Sequence, residues 1–369
     1  MSSRATADPA LRCLLQLLGD VRPVSSLTLS DWDKTIRLAR QARLLGVLAS
    51  RLRARPDSLA NVPAPVCGHL LSATAYSGHR VQMLRMELAA LDAALPAEIP
   101  VVVLKGAAYV VQNLEMARGR LPNDVDLMVG RDQLQSAESA LLAAGWAAEL
   151  VDDYADRYYR EWSHELPPMR FPGHPMEVDL HHTITPVTGR LRPDTVLLFA
   201  DLQPVTAQRF LVLHPLDQIL HAAVHLFQDS ELLDNLRDLV DIDGLIRTHL
   251  HTAGDWQALL ERAARHGLER PLWYALHYCR EWLATAVPAA LPLAAPPAVA
   301  RRLMDWLFPR SSLPRIPDRR PGVSRRIAAQ LGVARYQWLR MPPGLLLRHF
   351  AHKGRQALRW RPAGRHQPE

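Results

Sequence analysis

The stretch RGRLPNDVDLMVG, residues 118–130, places Asp124 and Asp126 one position apart in an otherwise apolar run. Side chains alternate across a β-strand, so the pattern predicts a strand with its valines and leucine toward the core and both carboxylates on the opposite face. Two carboxylates that point the same way raise each other's pKa. The pair is typical of a cation site, but it is also typical of a solvent-facing strand edge.

A second acidic strand is predicted at MEVDLHH, residues 176–182, where Glu177, Asp179 and His181 share the face away from the apolar side chains. If the two strands are neighbours, Asp179 meets the first two aspartates. Mg²⁺ prefers such oxygen ligands and keeps water or phosphate in its remaining positions. Two such ions about 4 Å apart can hold the attacking and leaving oxygens of a phosphoryl displacement.

The segment VVVLKG, residues 101–106, indicates a buried strand that ends in a glycine and leads directly into a helix. A helix N-terminus attracts phosphate, and Gly106 would allow a triphosphate to approach the backbone. Lys105 is one of only three lysines among 44 Lys and Arg residues, so its compact charge suggests a specific role. A lysine that merely ends a strand and reaches solvent is the simpler alternative.

Together, LKG (104–106), ARGRLPNDVDLMV (117–129) and MEVDLHH (176–182) resemble the DNA polymerase β-like nucleotidyltransferase superfamily, closest to its uncharacterised bacterial branch. The resemblance implies a mixed sheet with flanking helices and a helical domain on the C-terminal side. It also implies Asp124 and Asp126 as Mg²⁺ ligands.

The same resemblance implies that Asp179 is a metal ligand or the base for the acceptor's proton, and that Gly106 lies under the triphosphate. Arg120 would contact phosphate or orient Asp124. The sequence departs from the superfamily at Gly106-Ala107, where Gly-Ser or Gly-Gly is common. Lys105 or backbone N–H groups would therefore have to hold the phosphates.

The predicted fold class is α+β, with a small mixed sheet flanked by N-terminal and C-terminal helical regions. The expected divisions are a helical region at 1–95, the nucleotidyltransferase domain at 96–210, a helical domain at 211–309 and a basic tail with short helices at 310–369. Ser30 is expected to cap the first long helix.

HAAVH places His221 and His225 four residues apart on one helix face. This spacing could bind zinc, but no catalytic glutamate or third ligand accompanies it. We expect one of them to pack internally and the other to line the cleft, together with His181. Arg237 and Asp241 have the same spacing and are expected to form an ion pair that joins two helices.

The net charge of +7 is concentrated in the tail. Residues 310–369 contain fourteen Lys and Arg and two acidic residues, a charge of +12, which leaves −5 for the other 309 residues. The tail could pack on this acidic body, which we favour, or bind an anionic membrane surface. Binding of nucleic acid is disfavoured because no such motif is present.

The N-terminal segment lacks the apolar core of a signal peptide, and the three scattered cysteines form no disulfide framework. A cytoplasmic protein is therefore expected. The predicted activity is a Mg²⁺-dependent, two-ion transfer of a nucleotidyl group from an NTP, with ATP expected, to a hydroxyl of a small molecule or peptide. The alternatives are a non-catalytic nucleotide-binding regulator and an adaptor that acts through its basic tail; acceptor and oligomeric state stay open.

Overall fold

The structure is a computed structural model that describes residues 8–149, 152–206, 208–228, 230–320 and 322–359. These ranges contain a sheet of seven strands in the order β3-β4-β5-β2-β1-β7-β6. The strands are β1 (Val102–Val103), β2 (Asp124–Met128), β3 (Ala147–Ala148), β4 (Met169–Arg170), β5 (Glu177–His181), β6 (Gln203–Pro204) and β7 (Leu211–Val212).

The two acidic strands are neighbours at the centre of this sheet. β2 pairs with β5 in parallel, and the register places Asp126 beside Asp179 and Asp124 beside Glu177. On its other side β2 pairs with β1 in antiparallel orientation, while β1 is parallel to β7. The sheet is therefore mixed, and the predicted α+β class is confirmed.

In the described residues, helices precede the sheet, lie between its strands and follow it. The N-terminal region contains α1 (Pro9–Leu18), α2 (Leu29–Gln41), α3 (Leu45–Arg53), α4 (Pro56–Ala60) and α5 (Ala64–Ala94). Between the strands lie α6 (Lys105–Val111), α7 (Leu134–Ala144), α8 (Asp153–Trp162) and α9 (Thr195–Ala200). The C-terminal part contains α10 (Pro215–Phe227), α11 (Leu236–His249), α12 (Ala253–His266), α13 (Glu269–Leu283), α14 (Ala298–Ser312), α15 (Val323–Arg340) and α16 (Pro343–Arg359).

One contiguous apolar core joins the flanking helices to the sheet. It includes buried side chains from Ala10 in α1 to Leu313, just after α14. On the sheet, α5 packs on β2 and α7 packs on β5, whereas α10 contacts α6 and forms the centre of the C-terminal helices. The acidic strands thus contact α5, α6 and α7, and α6 also connects the sheet to the C-terminal helices through α10.

The described part of the basic tail packs on the body, the arrangement favoured by the charge pattern. Arg325 Nη2 lies 2.8 Å from Asp234 Oδ1, and Arg190 Nε donates to the backbone carbonyl of Trp338 at 3.2 Å. Residues 360–369, with Trp360, lie outside the described residues, as do residues 1–7. Within the described residues, no helix combines the length and the apolar character needed to cross a membrane.

The first long helix begins two residues earlier than the sequence predicted. Thr28, not Ser30, is the N-cap of α2: the Asp31 N–H donates to Thr28 Oγ1 at 3.2 Å, and the Thr28 N–H donates to Asp31 Oδ2 at 3.0 Å. This reciprocal capping box satisfies two N–H groups of the helix start. The pair Ser30 and Asp33 has the same spacing as Thr28 and Asp31, so spacing alone did not show which pair forms the cap.

Thr28→Ala should lower the free energy of unfolding by about 1 kcal/mol, because the Asp31 N–H loses Thr28 Oγ1 as its hydrogen-bond acceptor. Ser30→Ala is the matched control and should have little effect. Urea unfolding followed by circular dichroism measures both. Equal losses in the two variants would contradict this assignment of the cap.

Candidate active site

The three predicted aspartates line one cleft at the β2–β5 edge. The cleft has a volume of about 260 Å³ and receives Asp124 and Asp126 from β2 and Asp179 from β5. Clefts of about 600, 570, 370 and 280 Å³ elsewhere include none of the predicted site residues among those that line them. The convergence anticipated from strand alternation is therefore present in the fold.

Asp126 is a buried carboxylate that keeps its charge. Its Oδ1 accepts hydrogen bonds from Lys105 Nζ at 2.7 Å and from His181 Nε2 at 3.0 Å. Burial opposes ionisation, but these two partners outweigh it and hold the pKa of Asp126 well below its usual range. Because both bonds fall on Oδ1, Oδ2 is the oxygen that remains for a cation.

The other two carboxylates are shifted in the opposite direction. Burial and the charge of Asp126 raise the pKa of Asp179 to about 7. Reduced solvation and repulsion from Asp126 also raise the pKa of Asp124 above its ordinary value. Burial and mutual repulsion therefore oppose ionisation of all three groups together, and their oxygen donors fit the preference of Mg²⁺.

Lys105 occupies an unusual backbone position as the first residue of α6, two residues after β1. Its φ of +47° lies in the left-handed region, which costs an L-residue about 1–2 kcal/mol. Burial disfavours its charge, but Asp126 raises the pKa of Lys105 above its usual value. The ammonium is thus charged and held at the acidic pair, and its predicted contact with phosphate stays a prediction.

Gly106 is required by a neighbouring side chain. A Cβ added at Gly106 would lie 1.7 Å from Arg120 Nη1, so the guanidinium packs directly on the glycine. Arg120 Nε in turn donates to Asp241 Oδ2 at 3.0 Å, and both side chains are buried. The resemblance implied that the glycine is needed for contact with a triphosphate, whereas the structure shows that Arg120 occupies the space beside it. The triphosphate contact stays a prediction.

The expected Arg237–Asp241 pair is wrong. Asp241 is the partner of Arg120, and Arg237 Nε lies 3.3 Å from Asp238 Oδ1 instead. The physical reason is the Gly106 gap, which lets Arg120 cross from the loop before β2 to α11. The resulting ion pair joins the loop before β2 to α11, whereas the sequence spacing suggested an Arg237–Asp241 pair that joins two helices.

The two histidines of α10 differ in position. His225 lines the cleft, while His221 is buried behind it, and burial lowers the pKa of His225 to about 4. Among the described residues, one group of three side chains is placed closely enough to hold a metal ion, and it contains neither His221 nor His225. His181 lies in the same region and reaches the site through Asp126.

Several residues of the cleft were not anticipated from the sequence. His164 and Glu165 follow α8, and Tyr336 and Arg340 come from α15. Arg340 Nη2 donates to Ser163 Oγ at 3.0 Å, and its guanidinium lies 5.3 Å from the centre of the Tyr336 ring. No local spacing links these residues, because they come together only through the packing of the tail on the body.

The sequence profile of a family described as uncharacterised nucleotidyltransferase matches residues 28–284, more than half of the chain. The chain belongs to this family. No curated protein matches it. The matched segment contains all three aspartates, Lys105, Gly106 and Arg120, whereas the two α15 residues of the cleft lie beyond its end. Membership of this nucleotidyltransferase family assigns the protein to nucleotidyl transfer in general, with an NTP as the substrate class.

Asp179→Asn should make the metal-free protein more stable at pH 8. Folding raises the pKa of Asp179 from 3.8 to about 7, so the stability that its protonated form contributes is full below pH 3.8 and is lost as the pH rises to about 7. We expect a gain of about 1–4 kcal/mol in EDTA at pH 8, shrinking toward pH 4.

Urea unfolding at several pH values measures this difference, and Mg²⁺ should narrow it by stabilising the wild type more. Asp132→Asn, at an exposed aspartate just after the β2 region, is the control. Parallel pH profiles for the wild type and the Asp179 variant would show that the carboxylate is not destabilised in the cleft.

Gly106→Ala should destabilise the protein by about 3 kcal/mol, because the methyl group displaces Arg120 and leaves Asp241 as a buried, unpaired charge. The matched control is Gly78→Ala in α5, where an added Cβ meets nothing within 4 Å. That control should be neutral or stabilise by about 1 kcal/mol. Denaturant midpoints compare the two, and similar effects would contradict the tight contact.

Proposed function

We propose that this protein transfers a nucleotidyl group from an NTP, with ATP as the expected donor, to a hydroxyl of a small molecule or peptide. The observation that carries the proposal is the parallel register of β2 and β5, which brings Asp126 beside Asp179 at a cleft that also holds Asp124. The motif resemblance to the DNA polymerase β-like superfamily supports the same chemistry. The cytoplasm is the compartment in which we expect the protein to act.

In the proposed reaction, the acceptor oxygen forms a bond to the α-phosphorus, and the bond from that phosphorus to the oxygen bridging the β-phosphate breaks. Pyrophosphate leaves with the electron pair of that bond. Asp179 either accepts the acceptor's proton or completes the cation site with Asp124 and Asp126. Mg²⁺, bound as one or two ions, would neutralise charge on the transferring phosphoryl group.

The cleft also carries cations suited to a polyphosphate. Lys105, Arg120, Arg237 and Arg340 all line it. In this arrangement each lies near a carboxylate of the protein, so a triphosphate would compete with those carboxylates for the same charges. Cations that are held in place before binding lose little freedom when a phosphate arrives, which favours affinity.

The second candidate is a non-catalytic nucleotide-binding regulator. The observation in its favour is that Lys105 and Arg120, the two predicted phosphate contacts, are both committed to buried aspartates, Asp126 and Asp241. No hydroxyl follows Gly106 to replace them, because the next residue is Ala107. Nucleotide binding without transfer would be the expected behaviour of such a protein.

Two measurements separate the candidates. Calorimetric titration with each NTP, with and without Mg²⁺, tests binding. NTPs labelled at the α-phosphate, incubated with a deproteinised cell extract and separately with a protein fraction, then test transfer of the label together with release of pyrophosphate. Absence of nucleotide binding would remove both candidates, whereas binding without transfer to either acceptor pool would favour the regulator.

Asp124→Asn, Asp126→Asn and Asp179→Asn should each reduce Mg²⁺-dependent transfer by about 1,000-fold or more, because the cation site loses several kcal/mol of charge stabilisation. Circular dichroism should show a folded protein in each case. Asp132→Asn, with an equal change in charge outside the cleft, should keep full activity. A cleft variant with near-normal turnover would contradict the assigned role.

A further inference from the structure

A second group of possible metal ligands lies at one wall of the cleft, beside the aspartates. His164 and Glu165 follow α8, and His181 ends β5. Glu165 Oε2 lies 3.5 Å from His164 Nε2 and 3.6 Å from His181 Nδ1. These separations are long for hydrogen bonds but match the spacing of roughly 3.4 Å between two ligands of a tetrahedral ion with bonds of about 2.1 Å.

The surroundings of His181 support this interpretation. Its Nε2 donates to Asp126 Oδ1 at 3.0 Å, and its fully buried Nδ1 has no hydrogen-bond partner among the described residues. Glu165 Oε2 lies 3.6 Å from this Nδ1, which is too long for a hydrogen bond. A buried polar nitrogen without a partner is costly, and an ion held between Nδ1 and the carboxylate would satisfy both groups.

The neighbours of the cluster orient its ligand atoms. Asp126 fixes the ring of His181, as carboxylates commonly do for metal-binding histidines. Arg340 Nη2 lies 3.9 Å from Glu165 Oε1, which directs the other carboxylate oxygen toward the two imidazoles. Because His164 and Glu165 both line the cleft, a fourth coordination position on an ion held here would face the cleft.

We propose that His164, Glu165 and His181 form a site for a divalent transition metal of the zinc class, separate from the all-carboxylate site of Asp124, Asp126 and Asp179. Two imidazole nitrogens and one carboxylate oxygen favour Zn²⁺ or Co²⁺, whereas Mg²⁺ prefers oxygen ligands alone. Three protein ligands with one open position is the arrangement of catalytic rather than purely structural zinc sites. The bond between His181 and Asp126 connects the two sites.

Cobalt provides the direct test, because Co²⁺ bound to nitrogen and oxygen ligands in a four- or five-coordinate site has intense visible absorption that the hydrated ion lacks. The untagged full chain is treated with EDTA, desalted and titrated with Co²⁺ without nucleotide. We expect intense bands that saturate at one ion per chain, that disappear on addition of Zn²⁺, and that persist in a large excess of Mg²⁺.

His164→Ala and Glu165→Gln should weaken Co²⁺ binding by about 100-fold or more, since each removes a ligand. His225→Asn, which changes another histidine of the same cleft, and Asp124→Asn, which changes the carboxylate site, should keep the bands. Circular dichroism checks the fold of each variant, and the isosteric Glu165→Gln decides the question if His164→Ala does not fold.

Two results would overturn the proposal. One is a wild-type spectrum identical to that of hydrated Co²⁺, and the other is a set of bands unchanged in both ligand variants. The titration contains no nucleotide or acceptor, so its outcome is independent of whether the protein transfers nucleotidyl groups. Loss of transfer with retained Co²⁺ bands, as expected for Asp124→Asn, would separate the two sites experimentally.

Discussion

The two hydrogen bonds to one oxygen of Asp126 set the charge balance of the cleft. Lys105 and His181 keep this buried carboxylate ionised, and burial together with the charge of Asp126 raises the pKa of its neighbours Asp124 and Asp179. A buried carboxylate without such partners would take up a proton instead. The strained backbone of Lys105, at φ +47°, fits this view: the fold tolerates a local cost at the position that supplies the compensating charge.

A second buried ion pair fixes the opposite wall. Arg120 reaches Asp241 across the bare Cα of Gly106, which ties the loop before β2 to α11. A shift of α11 would therefore move the Arg120 guanidinium, which lies against Gly106. Because Gly106 is next to Lys105, the position of α11 is coupled to the carboxylates of the cleft. Buried ion pairs add little net stability, but they are costly to break, so they specify geometry more than they stabilise it.

The sequence predicts the two central acidic strands better than the residues that surround their cleft. Alternation located β2 and β5 and the shared face of their acids, and Gly145, with φ +109°, ends α7 as a glycine at that position should. By contrast, α8 was not among the predicted helices, although Tyr154, Tyr158 and Trp162 recur at helical spacing on one partly buried face. The partner of Asp241 and the approach of His164 to His181 depend on strand order and packing, which no local pattern encodes.

The cleft draws on residues that are far apart in the chain. Lys105 is contributed early, whereas Tyr336 and Arg340 come from α15, behind the proline-rich segment that follows α13. All strands of the sheet and all three aspartates are synthesised before this last wall, because β7 ends at Val212. A chain that stopped within the proline-rich segment would lack Tyr336 and Arg340 and would leave one side of the cleft open to water.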